Sequence, residues 1–237
     1  ICIPVGKDSM SMRAVWEEGG QKQAVISPVS LIVSAFAPVL DASTTLTPLL
    51  RAPAEDTRLL FVDLARGRQR LGGSILAQVV GQVGDLPPDV EDPAVLKGFF
   101  EAMQTLQNER RILAYHDRSD GGLLATLSEC CFAARAGIDV DLTGLGGTPL
   151  SALYNEELGA VMQILAVDEL RVRQVFAAHG LEGLVHTIGQ PTVNPAVRIR
   201  HGQTTLVDAP TLTLRAHWSR VTHQLQRLRD NPQSADA

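Results

Sequence analysis

The side chains best suited to chemistry are concentrated in residues 114–123, whose sequence is AYHDRSDGGL. An apolar run leads there into a loop with two carboxylates, a hydroxyl and two adjacent glycines: Asp117, Ser119, Asp120, Gly121 and Gly122. Ligands gather at the carboxyl ends of strands in sheet-based folds, and the first backbone N–H groups of a helix can bind phosphate oxygens. Glycines let the backbone approach a ligand, and Mg²⁺ prefers carboxylate and phosphate oxygens. The pattern is therefore typical of a magnesium and phosphate site.

A plainer explanation of the same loop is a tight turn in which Ser119 or Asp120 only caps the following helix. Such caps are common, so the residue types alone leave both explanations open. A single cap needs one short polar side chain, whereas this loop carries three. The excess of polar side chains favours a functional site.

Two further stretches place glycine beside charged residues. Residues 67–74, GRQRLGGS, imitate the phosphate-binding P-loop, but Gly73 stands where that pattern requires a lysine. This stretch can bind an anion or allow close packing before a helix, and we favour packing. In residues 6–12, GKDSMSM, Lys7 and Ser9 could contact a phosphate, although a solvated turn is the more frequent role of such a run.

The other residues with metal-binding or nucleophilic side chains form no recognised pattern. His217 and His223 are six residues apart, which does not match the i, i+4 pairing of zinc proteases. Cys130 and Cys131 lie in a predicted amphipathic helix, and most buried cysteines are packing residues. Residues 155–157, NEE, are either ligands or the end of a helix.

The overall composition excludes several classes of function. The 237 residues are 45% hydrophobic, which is enough to supply a core. A formal net charge of −5 argues against a nucleic-acid binder, and no stretch approaches the roughly 18 consecutive apolar residues that cross a bilayer. Three cysteines cannot form a disulfide framework, which favours a reduced, cytosolic setting. We expect a soluble cytoplasmic protein with neither nucleic-acid nor membrane partners.

Hydrophobic periodicity predicts strands alternating with helices over residues 58–230, and hence a layered α/β or α+β domain. The predicted strands are 29–39, 58–64, 112–116, 138–142, 159–167, 184–188 and 197–201. The predicted helices are 74–80, 93–110, 123–136 (ended by Gly137), 168–178 (capped by Asp168) and 214–228, before a polar linker. Residues 17–20 carry the signal of a hairpin turn.

Several stretches resemble, in their order along the chain, one enzyme family: the large single-chain phosphoribosylformylglycinamidine synthases. They are residues 3–12 (IPVGKDSMSM), 71–74 (LGGS), 115–123 (YHDRSDGGL), 155–160 (NEELGA) and the terminal segment 217–232. Each glycine motif is weak by itself. The ordered set is specific, and the resemblance covers nearly the whole chain.

The resemblance implies an α+β fold, a layered α/β sandwich like the carboxy-terminal domain of aminoimidazole ribonucleotide synthetase. It also implies that the chain is a piece of a longer enzyme, taken from the second of two synthetase halves. Residues 1–55 would be the end of a preceding amino-terminal-type synthetase domain with a connector. Residues 56–210 would be the carboxy-terminal-type α+β synthetase domain, and residues 211–237 a helix and linker toward a glutaminase domain.

The family is a carbon–nitrogen ligase of purine biosynthesis, which converts formylglycinamide ribonucleotide, glutamine and ATP to formylglycinamidine ribonucleotide. The resemblance therefore implies ATP or ADP and Mg²⁺ as cofactors. It implies formylglycinamide ribonucleotide, the remaining synthetase domains and the glutaminase domain as partners.

The resemblance also assigns roles to single residues. Asp117 would be a magnesium ligand, and the nucleotide-binding residues would be Ser119, Gly121, Gly122, Lys7 and Ser9. It implies no catalytic residue in this chain, because the nucleophilic cysteine of the family belongs to the glutaminase domain. We therefore expect the piece to be inactive alone.

Two alternatives remain open. The chain could be a structural module that holds a non-catalytic nucleotide and docks the glutaminase domain, as the apolar stripe of Trp218, Val221 and Leu225 suggests. It could also belong to another enzyme of the same fold, such as aminoimidazole ribonucleotide synthetase or selenophosphate synthetase. Residues 155–157 and the terminal helix argue against this second alternative.

Overall fold

The computed structural model describes residues 2–3, 6, 12–27, 32–39, 41–51 and 56–236. The chain divides into two units, Ile1–Ala42 and Ser43–Ala237. Lys7 and Ser9, two of the nucleotide-binding residues that the resemblance implies, lie outside the described residues. No helix in the described part of the chain is long and apolar enough to span a membrane.

The first unit contains a β-hairpin in which β1 (Arg13–Glu18) pairs antiparallel with β2 (Gln21–Ile26). Gly19 and Gly20 form the turn with φ angles of 61° and 78°, as a two-residue hairpin turn requires. The predicted turn at residues 17–20 is thus confirmed. Residues 32–39 form no regular structure, so the strand predicted at 29–39 is wrong over this part. Its apolar side chains are exposed, and no strand of the described residues pairs with the segment to satisfy its backbone hydrogen bonds, as a strand requires.

The second unit is built on a sheet of seven strands. They are β3 (Thr57–Asp63), β4 (Ala114–Asp117), β5 (Gly137–Asp141), β6 (Gly159–Leu165), β7 (Val185–Thr192), β8 (Ala196–His201) and β9 (Thr204–Pro210). Their order across the sheet is β4-β6-β3-β7-β5-β8-β9, and only β5 and β8 pair in parallel. Since β3 and β4 are each antiparallel to β6, they run in the same direction and end at the same edge of the sheet.

The α-helices of the described residues are α1 (Ile75–Val79), α2 (Pro93–Asn108), α3 (Gly122–Ala134), α4 (Pro149–Tyr154), α5 (Glu169–Ala178), α6 (Thr211–Arg229) and α7 (Pro232–Ala235). Four of them, α2 to α5, cover the two faces of the sheet. Leu59 and Phe61 of β3 belong to a buried cluster with residues of α3 and α4, while Leu60 and Val62 belong to one with residues of α2 and α5. Successive side chains of a strand point to opposite faces, so β3 is covered on both. The predicted α+β, layered sandwich is confirmed.

Some predicted boundaries differ from the structure. Gly137 does not end α3: Arg135 does so in the left-handed conformation, at φ 52°, while Gly137 begins β5. Asp168 stands at the N-cap position of α5, as predicted, but its carboxylate makes no capping hydrogen bond and accepts from Arg111 Nη1 at 2.6 Å instead. The terminal helix begins at Thr211 and is followed by the short α7, where a linker was predicted.

Candidate functional site

The candidate site lies at the edge of the sheet where β3 and β4 end. In the register of the sheet Asp63, the last residue of β3, lies opposite Gly159, and Asp117, the last residue of β4, lies opposite Ala160. Both partners stand at the beginning of β6. The loops after β3, after β4 and before β6 therefore meet at this edge, and they contain the three motifs that the sequence places at residues 67–74, 117–122 and 155–157.

The carboxylate of Asp117 is exposed at the end of β4. The hydroxyl of Tyr115 donates a short hydrogen bond to Asp117 Oδ1. Burial of the phenol, together with this contact, raises the pKa of Tyr115 well above its usual value, so the phenol remains a donor at neutral pH. Ser119 and Asp120 are exposed as well. The loop after β4 thus presents two carboxylates and a hydroxyl to solvent.

Arg118, between these exposed residues, points into the protein and is only 6% exposed. Its Nε donates to the backbone oxygen of Glu157 at 2.5 Å, and its Nη2 donates to the backbone oxygen of Leu158 at 3.0 Å. The same Nη2 lies 3.3 Å from Asp63 Oδ1, and the guanidinium stands 4.8 Å above the ring of Phe61. Burial lowers the pKa of Arg118 to about 10 against the opposing effect of the neighbouring carboxylates. Arg118 therefore joins the ends of β3 and β4 to the segment before β6 while remaining charged at neutral pH.

Gly121 stands at the N-cap position of α3 with φ 82°, and no side chain of the described residues caps the helix there. The capping role considered for Ser119 or Asp120 is therefore not observed. Instead, Glu156 Oε1 accepts a hydrogen bond from the backbone N–H of Gly121 at 2.7 Å. The N–H of Gly122 donates to the backbone oxygen of Ser119 at 2.9 Å. Both backbone donors predicted to face a phosphate are thus hydrogen-bonded within the protein.

Gly122 is required by packing as well as by conformation. Its φ is 65°, and a Cβ atom placed there would stand 2.6 Å from the backbone oxygen of Leu153 and 2.8 Å from that of Asn155. A backbone that close leaves no room for a larger residue. The close approach that glycine permits at this position is thus to the end of α4.

Glu157 is completely buried and forms an ion pair with Arg70. Arg70 Nε lies 2.6 Å from Glu157 Oε1 and Arg70 Nη2 lies 2.9 Å from Oε2, a two-pronged geometry. Arg70 Nη1 also reaches Glu91 at 2.6 Å. The hydrogen bonds of Glu157 raise the pKa of Arg70 above its already high value. Glu157 is therefore a structural anchor between the loops after β3 and before β6.

The glycine-rich stretch 67–74 has the packing role that its sequence favours. A Cβ atom on Gly72 would meet the backbone of Leu86 at 2.5 Å, and Ser74 caps α1 by accepting from the N–H of Ala77 at 3.2 Å. On its outer side the stretch borders a groove of about 860 Å³, whose lining includes Leu76 and Leu150.

The donor chemistry at this edge fits Mg²⁺ only where a ligand supplies part of the coordination. Among the described residues no group of three or more His, Cys, Asp or Glu side chains is placed to hold a metal ion. Asp117 offers exposed carboxylate oxygen, and Mg²⁺ is commonly bound by one or two carboxylates together with phosphate oxygens. The predicted roles of Asp117, Ser119, Gly121 and Gly122 stay predictions.

The cysteines of α3 are packing residues, as predicted. Cys130 and Cys131 are 2% and 0% exposed, and burial raises the pKa of each thiol to about 12. A thiol with such a pKa is neutral at pH 7 and unreactive.

Three charged residues, Arg70, Arg118 and Glu157, hold the three loops together. Sequence reasoning missed the two arginines and considered Glu157 only as a ligand or as the end of a helix. Arginine in a polar loop is usually solvated, and nothing in its immediate neighbours shows that it is buried. The sequence did carry one indication: residues 156–157 are two adjacent glutamates, and two other polar loops contain arginines. Because buried charges need partners of opposite sign, this combination was compatible with buried ion pairs.

Comparisons with known proteins agree with this architecture. Residues 59–202, more than half of the chain, match the family model of the C-terminal domain of AIR synthase related proteins. Residues 1–38 match the model of the FGAR-AT PurM_N-like domain.

Solved structures of PurL from Thermotoga maritima share the fold. The complex with FGAR matches with a TM-score of 0.59 at 16% identity, and the complex with ATP with a TM-score of 0.56 at 16% identity. Each match covers 81% of this chain, but only 30% and 28% of the respective PurL chain. A third structure, phosphoribosylformylglycinamidine synthase II of the same organism, matches with a TM-score of 0.57 at 14% identity and covers 81% of this chain and 28% of that one.

These findings confirm the resemblance to the phosphoribosylformylglycinamidine synthases that the order of the motifs predicts. The chain belongs to the family of AIR synthase related proteins, whose C-terminal domain it carries in residues 59–202.

Proposed function

We propose that the chain is part of a glutamine-dependent formylglycinamide ribonucleotide amidotransferase, a carbon–nitrogen ligase of purine biosynthesis, and that it contributes contacts to a magnesium-bound nucleotide. In the reaction of these amidotransferases, ATP phosphorylates the amide oxygen of the substrate, and ammonia from glutamine then displaces the phosphate. The T. maritima PurL structures in complex with ATP, AMPPCP, ADP and FGAR support a nucleotide and this substrate as the ligands. Since the chain spans under a third of those proteins, we infer that it is inactive alone.

The observation that carries the proposal is that Asp117 and Ser119 are exposed on a loop whose backbone is held in place by a buried side chain. A ligand site needs polar groups that face solvent and hold one geometry before the ligand arrives. Buried Arg118 supplies that rigidity, because it lies between the two exposed residues and is bound to two backbone oxygens and to Asp63. When bound, Mg²⁺ would neutralise phosphate oxygens and link them to the protein.

Each residue then has a defined task. Asp117 would provide carboxylate oxygen to the metal, while Tyr115 keeps that carboxylate in one orientation through its hydroxyl. Ser119 would donate its hydroxyl to a nucleotide oxygen. Lys7 and Ser9 remain proposed nucleotide contacts on sequence grounds alone. With the N–H groups of Gly121 and Gly122 already engaged, we assign the nucleotide contacts at this loop first to side chains.

The test is calorimetric titration of this chain, and of the longer enzyme, with Mg-ADP and Mg-ATP. We expect Asp117→Ala to abolish or greatly weaken binding. Asp120→Ala is the matched control, because it removes another exposed carboxylate from the same loop and should leave binding unchanged. An Asp117→Ala form of the longer enzyme that folds, retains nucleotide and keeps normal activity would refute the proposal.

A second candidate function is the docking of the glutaminase domain by α6. Trp218, Val221, Leu225 and Leu228 recur at helical spacing and are 61%, 60%, 61% and 84% exposed. An exposed apolar stripe of this kind is typical of an interaction surface. The chain would then support a structural nucleotide and seat the partner domain.

Removal of residues 212–237 from the longer enzyme distinguishes the two candidates. If α6 seats the glutaminase domain, activity with glutamine should fall much more than activity with free ammonia. Equal loss of both activities would contradict the docking role and leave the nucleotide site as the function of the chain.

A further inference from the structure

One carboxylate oxygen connects two loops that are far apart in the sequence. Glu156 Oε1 accepts a hydrogen bond from the N–H of Gly121 at 2.7 Å and another from the N–H of Ile75 at 2.9 Å. Gly121 belongs to the loop after β4, and Ile75 is the first residue of α1, which follows the loop after β3. Each N–H stands at a helix start, where the intrahelical acceptor is lacking, so each needs a partner from elsewhere.

The backbone on either side of Glu156 is held firmly. Asn155 is 1% exposed and donates from its side chain to the backbone oxygen of Ser151 at 2.6 Å. Glu157 is 0% exposed and is bound by Arg70. Glu156 therefore extends from a fixed point, and a carboxylate held in this way places the two N–H groups that it binds.

The contact with Gly121 acts at a sensitive position of the loop. Gly121 is four residues from Asp117 and two from Ser119, and its φ of 82° belongs to the left-handed region. Arg118 fixes the beginning of this loop, whereas Glu156 fixes its end. Hydrogen bonds in which the acceptor is ionised are roughly twice as strong as neutral ones.

We propose that Glu156 is a positioning residue: by binding Gly121 and Ile75 together, it holds the loop of Asp117 and Ser119 in the conformation that receives the nucleotide. This role rests on the proposed function, but the contact itself can be tested without any nucleotide. Glu156 does not touch the ligand in this scheme and acts through Gly121.

The first experiment follows amide hydrogen exchange by NMR in the 237-residue chain. We expect Glu156→Ala to speed exchange at both Gly121 and Ile75 about tenfold or more, because a hydrogen bond to a charged group is worth at least that factor. Glu156→Gln should restore most of the protection, since its amide oxygen can accept the same two bonds. Glu182→Ala, which removes an exposed glutamate from another loop, should change neither amide.

Unchanged exchange in Glu156→Ala, or a Gln variant as fast as the Ala variant, would overturn the assignment of the contact. Because the Gln variant keeps the shape and hydrogen-bonding capacity of the side chain, the comparison remains decisive even if Glu156→Ala is destabilised.

The second experiment measures KM for ATP and kcat in the longer enzyme. Positioning predicts that Glu156→Ala raises KM for ATP about tenfold and that Glu156→Gln returns it close to the original value. If exchange responds as expected but KM does not, the contact is structural only and the positioning role is refuted. If Asp117→Ala also leaves KM for ATP unchanged, the proposed nucleotide-binding function fails. The response of the Asp117 variant therefore distinguishes failure of the proposed function from failure of the positioning role alone.

Discussion

At the scale of single residues, the candidate site depends on charges that do not face the ligand. Arg118 and Glu157 are among the most buried charged side chains that the structure describes; Nε and Nη2 of Arg118 and both carboxylate oxygens of Glu157 have hydrogen-bond partners. A buried ion pair adds little to stability in comparison with apolar packing, but removal of one partner leaves the other uncompensated. The value of these charges is therefore that they fix one arrangement of the three loops.

Arg118→Met tests this dependence. The change keeps much of the side-chain volume but leaves the backbone oxygen of Glu157 without its side-chain donor, and Asp63 loses its cation while keeping the N–H groups of Ala65 and Gly67. We expect the free energy of unfolding, measured with urea at pH 7, to fall by about 1–3 kcal/mol.

Arg171→Met is the matched control, because Arg171 forms its ion pair with Glu109 at the surface. Ion pairs of that kind contribute little, so the control should remain close to the original stability. Similar losses in the two variants would contradict the view that burial makes Arg118 important.

At the scale of elements, the sequence predicts best those parts whose own pattern is strong. The helix predicted at 93–110 is found as α2, because its apolar residues recur regularly and Asp92 caps it. The strand predicted at 159–167 is found as β6, whose apolar residues are buried on both faces of the sheet. β9 was missed because it pairs only with β8 at the margin of the sheet and none of its residues is fully buried, so its sequence carries no clear apolar alternation.

The candidate site likewise has one part that the sequence predicts and another that it does not. The loop after β4 and its exposed Asp117 and Ser119 follow from the sequence, because strand, polar turn and helix are contiguous there. The contact of Glu156 with Gly121 does not follow, because 35 residues separate the partners and only the pairing of β4 with β6 brings them together. Long-range pairing also explains Gly137, whose pattern suggested the end of a helix although its role is in the sheet.

Gly137→Ala tests that role. A Cβ atom at this position would lie 2.0 Å from the backbone oxygen of Asn194 and 2.5 Å from that of Ala196, neither of which can move as a flexible side chain would. We expect the free energy of unfolding, measured with heat and with urea, to fall by about 1–3 kcal/mol, which is the usual cost of overpacking a core.

Gly144→Ala provides the control, since nothing lies within 4 Å of a Cβ atom there. Its stability should stay within about 0.5 kcal/mol of the original. If the stability of Gly137→Ala equals that of the original chain, then β5 and its neighbours can move apart at no cost in folding free energy.

At the scale of the whole chain, the buried core of the described residues begins at Leu50. The strands of the hairpin β1–β2 are exposed along almost their full length, so they add little burial by themselves. Residues just before β3 do belong to the sheet unit. Arg51 exchanges two hydrogen bonds with the side chain of Gln163, at 2.8 and 2.6 Å, and the backbone oxygen of Thr47 accepts from the N–H of Tyr115 at 2.9 Å.

Two truncated chains test where the folded unit begins. A chain of residues 43–237 should unfold at nearly the same temperature as the full chain, because it keeps the whole described core. A chain that begins at residue 56, the boundary predicted from sequence, loses Leu50 and the bonds of Arg51 and Thr47. We expect its midpoint to fall by several degrees, since a loss of 1 kcal/mol shifts Tm by roughly 2–4 °C in a domain of this size. Equal midpoints for the two truncated chains would favour the boundary at residue 56.

The position of β3 in the sheet has a consequence for how the protein is made. β3 is the first strand of the sheet to be synthesised, yet its two neighbours are β6 and β7, which begin at Gly159 and Val185. At a translation rate of about 5–20 residues per second, the apolar residues of β3 wait for roughly 10 s before both partners have left the ribosome. During that interval an unpaired, two-sided apolar strand is open to chaperones and to other nascent chains. Slowed translation after β3 should therefore increase aggregation of new chains without changing the stability of those that have folded.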